Sequence, residues 1–153
     1  MYKFIDTSEV NAVLEEMFKR YNFVLRDMEP NVPRVTEYPY IPGYKNCQLI
    51  YDTESYFFCI YSYNKQFNHL IIRELYAPNQ GKKILKALLD HITPEGETNF
   101  LIITLEIIDV NRRAKKFWFR ELCKPKMLYK SEDWITEYEF KYIHKREGVS
   151  NDW

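Results

Sequence analysis

The sequence predicts an α/β (α+β) chain, a mixed and mostly antiparallel central sheet with helices on both faces. Three observations predict it. Apolar residues recur at helical spacing in three separate stretches, around residues 8–21, 81–92 and 111–122. Between the first and second stretches lie three runs rich in Tyr, Phe and Ile, separated by short polar turns, which is the pattern of an antiparallel meander. Between the second and third helices lies one apolar run of strand length, so a β-α-β unit is joined to the meander.

Taken in order, Asp6-Thr7-Ser8-Glu9 offers a capping oxygen with a Glu three residues on from Asp6. Val10, Val13, Leu14, Met17, Phe18 and Tyr21 follow at helical spacing, which predicts an amphipathic helix over about 8–21. Glu29 to Tyr44 holds four of the seven prolines and Gly43, and reads as a long irregular segment. Its Tyr38, Tyr40 and Tyr44 either line a pocket or pack the loop down. The strand runs are Cys47–Tyr51, Ser55–Tyr63 and Asn68–Tyr76, with turns at Asp52-Thr53-Glu54 and Asn64-Lys65-Gln66. Ile84, Leu85, Leu88, Leu89 and Ile92 mark one face of a helix that starts near Gly81 and ends at Thr93-Pro94-Glu95-Gly96. Phe100–Ile107 is apolar enough for a central strand. Asn111–Leu122 is a further helix with Ala114, Phe117 and Trp118 inward, broken by Pro125. Ile135–Ile143 alternates, with Tyr138, Phe140 and Tyr142 on one face and Glu137, Glu139 and Lys141 on the other. The expected organisation is one domain over 1–145 and a loose polar tail over 146–153.

Composition narrows the function. With 22 basic and 22 acidic residues the net charge is zero, so no whole-protein field steers the chain to nucleic acid or to an anionic membrane. No apolar run reaches the length of a membrane helix, and the N-terminus lacks a signal-peptide core. Cys47, Cys59 and Cys123 are odd in number and widely spaced, the pattern of free thiols in a reducing compartment; the expectation is a cytoplasmic protein. His69, His91 and His144 have no metal-ligand spacing, so no metal site is expected.

Two basic clusters stand out. Lys82, Lys83 and Lys86 occupy the opening of the helix that begins near Gly81, where lysine opposes the helix dipole and a bound anion would offset the cost. Residues 112–126 carry Arg112, Arg113, Lys115, Lys116, Arg120, Lys124 and Lys126 against Glu121 alone, a local charge of +6. Both clusters also fit plain solvated faces. No RRM, zinc or helix-turn-helix pattern accompanies the second, which argues against nucleic acid.

With Gln80 ahead of the second helix, Ala87, Leu88 and Leu89 near its middle, and Asn111 and Ala114 opening the third, the stretch 67–122 resembles the GNAT N-acetyltransferase superfamily. That family places a Q/R-x-x-G-x-G/A loop between a strand and a helix with Leu-Leu near its middle, then a strand and an N-x-x-A-x-x-x-Y helix. Gln80, Ala87, Leu88, Leu89, Asn111 and Ala114 fall at the matching places. In the register of Leu88-Leu89 the two glycine-type positions hold Lys83 and Leu85, and Trp118 stands where the family commonly has the Tyr that protonates the departing thiolate. The motifs cover about a third of the chain, and the element order covers most of it.

The resemblance implies acetyl-CoA as cosubstrate and an amine-bearing acceptor. Leu75 and Tyr76 would pair with the pantetheine arm, the amides of Gln80, Gly81, Lys82 and Lys83 would hold the pyrophosphate, and Asn111 would serve the thiol end. Glu74 is the carboxylate on the strand where the family often keeps its general base, and Tyr129 could stand in as the acid. Residues 29–45 would shape the acceptor site. The alternative is a catalytically degenerate GNAT-like scaffold with a protein partner, a structural or assembly component such as part of a phage virion. A third reading is a binding module that uses the 112–126 patch.

Overall fold

The computed structural model describes residues 3–6, 11–32, 47–54, 56–78, 81–92 and 100–143. In chain order the elements are β1 (Lys3–Asp6), α1 (Ala12–Met28), β2 (Gln48–Asp52), β3 (Phe57–Asn64), β4 (His69–Tyr76), α2 (Gly81–Ile92), β5 (Phe100–Ile108), α3 (Arg112–Glu121), β6 (Cys123–Glu132) and β7 (Ile135–Ile143). Seven strands form one sheet in the order β1-β2-β3-β4-β5-β7-β6. The pairs β1–β2, β2–β3, β5–β7 and β6–β7 are antiparallel, so the sheet is mostly antiparallel, and three α-helices accompany it among the described residues. The chain divides into two compact units, Met1–Ser62 with Ile72–Ile84, and Tyr63–Ile71 with Leu85–Trp153.

In the first unit, α1 buries Leu14, Met17, Phe18, Tyr21 and Leu25, an i, i+3, i+4 stripe. Asn11 caps it, its Oδ1 accepting from Leu14 N at 3.0 Å, and the Glu29 amide closes it on Leu25 O at 2.8 Å. The Asn11 side-chain amide also donates to the Tyr51 hydroxyl at 3.1 Å, which ties the helix start to β2. β3 is buried continuously from Phe57 to Tyr61 rather than alternately, the habit of an interior strand covered on both faces. The turn before it is held by the Glu54 amide donating to Asp52 Oδ1 at 3.2 Å. Tyr56 then takes φ 57°, a left-handed conformation unusual for an aromatic residue, and Arg20 lies over its ring at 5.0 Å.

In the second unit, β5 and β7 pair over nine residues, Phe100↔Ile143 through Ile108↔Ile135. Leu101, Ile103, Leu105 and Ile107 point to one side, and Tyr138 and Phe140 share it. Phe119 of α3 packs edge-on to Tyr138 and Phe140 at 5.4 and 5.5 Å. Asn64 accepts from the Gln66 and Phe67 amides in the turn before β4, and Asn68 leaves that turn at φ 48°, a conformation asparagine tolerates. At the far end of β5, Asp109 locks a corner. Its carboxylate accepts from Thr136 Oγ1 and Lys130 Nζ, both at 2.7 Å, and its amide donates to Trp134 O at 2.9 Å.

Several expectations are corrected here. Asp6 lies in β1, paired with Gln48, and the helix begins at Ala12 under Asn11, so the capping oxygen comes five residues later than expected. β1 itself is a four-residue strand with no alternating pattern to announce it. Helix α1 runs on to Met28, beyond the expected end at residue 21, because Phe23 and Val24 turn outward while Leu25 returns to the stripe. Pro125 does not end α3. The helix closes at Leu122, whose amide bonds Trp118 O at 3.0 Å, and Pro125 sits inside β6. Lys124 at φ 48° and the register irregularity between Cys123 and Lys126 take the proline out of the regular ladder, so its missing N–H costs no ladder bond. In α3 only Trp118 is buried; Ala114 and Phe117 are half-covered. Residues 33–46, which hold Tyr38, Tyr40 and Tyr44, and the tail over 146–153 lie outside the described residues.

Candidate active site

β4 reads His69-Leu-Ile-Ile-Arg-Glu-Leu-Tyr76, and strand alternation puts Leu70, Ile72, Glu74 and Tyr76 on one face. Leu70 and Ile72 are buried, so Glu74 is the carboxylate at the end of an apolar row. Tyr21 reaches it from α1, 53 positions away in sequence, and its hydroxyl donates to Glu74 Oε2. The rings around this pair belong to the same unit. Phe58 is fully buried and stands edge-on to Phe18 at 4.8 Å and to Tyr21 at 5.3 Å. Tyr76 is edge-on to Tyr21 at 5.8 Å and tilted to Phe58 at 5.9 Å. The result is a carboxylate bonded by one member, Tyr21, of an aromatic nest built by α1, β3 and β4.

The neighbours record the field of that nest. Burial pushes the Cys59 thiol well above the usual range, and the negative Glu74 adds to the push, so the thiol stays protonated. Tyr61 is raised to about 12, by burial first and then by Cys59. Burial also raises the Tyr76 phenol, with Arg20 acting against it and Tyr56 with it.

The remaining expected site residues fall as follows. Leu75 and Tyr76 close β4, both half-buried, and Gly81 opens α2. Lys82 and Lys83 are exposed in the first turn, which carries no acid, while Ile84 and Leu85 face the core. Gln80 lies outside the described residues. Glu74, Leu75, Tyr76, Gly81, Lys82 and Lys83 thus belong to one unit. Asn111 and Tyr129 belong to the other. Asn111 caps α3, its Oδ1 accepting from Ala114 N at 3.0 Å. Tyr129 is 57% exposed on β6, and a hydrogen bond to Glu137, the residue opposite it on β7, raises its phenol, helped by the charges of Glu137 and Glu106.

The seven cations of 112–126 are all exposed. Two of them lie over rings: Lys115 over Phe119 at 5.5 Å and Arg120 over Phe117 at 5.6 Å. Arg120 is also paired with Glu121 at 2.7 Å, so the patch is partly engaged within its own helix. Among the described residues no group of His, Cys, Asp and Glu is arranged to hold a metal, and no helix is long and apolar enough to cross a membrane. The residues that sequence reasoning overlooks are Tyr21 and Phe58. Tyr21 was legible only as the last member of an apolar helix stripe. Its signal was a hydroxyl on a face that otherwise needs none.

No family model and no curated protein matches the sequence. Solved structures provide the likeness. A Klebsiella pneumoniae subsp. pneumoniae protein assigned as an acyl-CoA N-acyltransferase superposes with a TM-score of 0.59, at 11% identity over 95% of this chain and 99% of its own. A GNAT-family acetyltransferase from Bacillus cereus superposes with a TM-score of 0.50, at 12% identity over 95% of this chain and 99% of its own. At such identities the likeness is one of fold, and the fold is that of the GNAT N-acetyltransferases.

Proposed function

From this GNAT fold we propose that the chain is an acyl-CoA-dependent N-acyltransferase that moves an acetyl group to an amine, with Glu74 as general base. The observation that carries the reading is the Glu74 carboxylate, half-buried at the end of β4 and bonded by Tyr21 within the aromatic nest. Acetyl-CoA would supply the acyl group as a thioester. The opening of α2 fits its phosphates. The first-turn amides have no partner within the helix, Gly81 leaves room for approach, and Lys82 and Lys83 stand exposed with no acid beside them in that turn. By the family resemblance the Gln80 amide would join them, and Leu75 and Tyr76 would pair with the pantetheine arm.

Glu74 takes the proton of an acceptor ammonium, which leaves the amine lone pair able to attack a thioester carbonyl. Asn111 would serve the thiol end, and Tyr129, whose phenol is held neutral by Glu137, would return a proton to the departing thiolate. These two roles rest on the family resemblance alone.

Calorimetric titration with acetyl-CoA at two salt concentrations tests the reading. Saturable binding in the micromolar range is expected, weaker at high salt and weaker again in Lys82→Ala/Lys83→Ala. Glu74→Gln should keep the binding and lose transfer to amines. No binding by the intact chain would refute the acyltransferase and point to the fold serving a protein partner.

A further inference from the structure

Glu74 stands half-buried on a strand face whose other members are apolar or aromatic. Leu70 and Ile72 precede it on its own face of β4, Tyr76 follows it at the strand end, and Phe58 packs against the rings of Tyr21 and Tyr76. A carboxyl group in such surroundings tends to keep its proton, and a protonated carboxyl cannot serve as a base. Tyr21 opposes that tendency. A hydroxyl donated to a carboxylate favours the charged form and is stronger than a bond between neutral groups.

We propose that Tyr21 is the positioning residue of this site: its phenol, carried by α1, holds the Glu74 carboxylate ionised and in one orientation, ready to take a proton from an acceptor amine. The proposal rests on the reading of Glu74 as base. Its support is geometric. Tyr21 is 8% exposed, and its ring is clamped edge-on by Phe58 and Tyr76 at 5.3 and 5.8 Å, so the hydroxyl cannot swing away without breaking the nest. The helix that carries it is itself anchored at its start, through Asn11 on Tyr51.

Three charged or titratable groups of the same unit fit this role. On α1, Arg20 is turned to the Tyr56 ring and acts on Tyr76. On β3, Cys59 stays a neutral thiol, so it adds no negative charge behind Glu74. On β4, burial keeps the Tyr76 phenol neutral. In the proton step an N–H bond of the ammonium breaks and an O–H bond forms on Glu74. Tyr21 keeps its own proton throughout, and its hydrogen bond weakens as the carboxylate is neutralised.

The test is Tyr21→Phe, which keeps the ring and removes only the hydroxyl. Carboxyl carbon-13 resonances of glutamate-labelled protein are followed through a pH titration, with Glu74→Gln to assign the signal. The Glu74 midpoint is expected about one pH unit higher in Tyr21→Phe than in the intact chain. An unmoved midpoint, even with a loss of stability, would reduce Tyr21 to a structural contact and overturn the proposal. Acetyl transfer from acetyl-CoA to a lysyl peptide amide separates the two readings. With Glu74 as base, the acidic limb of kcat/KM moves up by the same amount in Tyr21→Phe. If Glu74→Gln transfers as well as the intact chain, the base reading fails, while the carboxyl midpoint still decides whether Tyr21 holds the charge.

Discussion

Replacing Phe58 by alanine should be the most damaging single change in the first unit. Its side chain is fully buried, and it meets Phe18 and Tyr21 edge-on at 4.8 and 5.3 Å and Tyr76 at 5.9 Å. Removing a buried Phe side chain costs about 3–5 kcal/mol, from lost transfer energy and the cavity left behind. Edge-to-face ring pairs contribute roughly 0.5–1.5 kcal/mol each beyond burial, and Phe58 makes two. Phe58→Leu keeps most of the apolar volume and loses only the ring contacts, so it should cost about 1–3 kcal/mol by the same figures. Urea denaturation followed by far-ultraviolet circular dichroism is the assay. Tryptophan fluorescence would watch the wrong part of the chain, because the tryptophans among the described residues, Trp118 and Trp134, belong to the second unit. If Phe58→Ala cost no more than Phe58→Leu, or less than about 1 kcal/mol, Phe58 would not be the packing centre that holds Tyr21 against Glu74.

Asn111→Ala should destabilise the chain by about 1 kcal/mol through the lost cap on Ala114 N, and Asn111→Ser should restore most of it; thermal unfolding of the three proteins checks this, and equal midpoints would show that the cap contributes nothing. Asp109 is lowered first by its hydrogen bond from Lys130 and then by that from Thr136, so its folded value lies below the ordinary 3.8. A depressed carboxylate contributes stability that is complete above the unfolded value and is lost as pH falls through the folded one. Asp109→Asn should therefore be less stable than the intact chain at neutral pH, and the gap should close as pH drops below about 3.8. Stability curves for both proteins from pH 7 to pH 2 would show it, and a gap that stayed constant would refute the linkage.

Much of the fold was legible because it follows from local rules. Ile135–Ile143 came out at the expected bounds, since strict alternation leaves one register in which Tyr138 and Phe140 are both inward. Helix α2 likewise begins at Gly81 and ends at Ile92, where glycine and a Thr-Pro pair punctuate the apolar face. The misses have local causes too. Four-residue β1 is too short to show a period, and Pro125 was read as a helix breaker when a positive-φ residue beside it had made room for it in a strand. At the candidate site, the family resemblance singles out Glu74, the carboxylate on the strand where that family often keeps its base, whereas nothing in the α1 period singles out Tyr21, because a tyrosine on an apolar helix face reads as core.

The sequence by itself determined which faces are apolar, where α2 and β7 start and stop, and where unusual charges sit. Those are short-range properties, written in spacing and in turn chemistry. The tertiary structure alone decided what each face meets: Tyr21 with Glu74 across 53 positions, Asp109 with Thr136 across 27, β1 beside β2. A hydrophobic period records that a side chain leaves water, but not which partner receives it. Partners are chosen when the sheet takes its register, and that choice brought a core tyrosine and a strand carboxylate into one hydrogen-bonded pair.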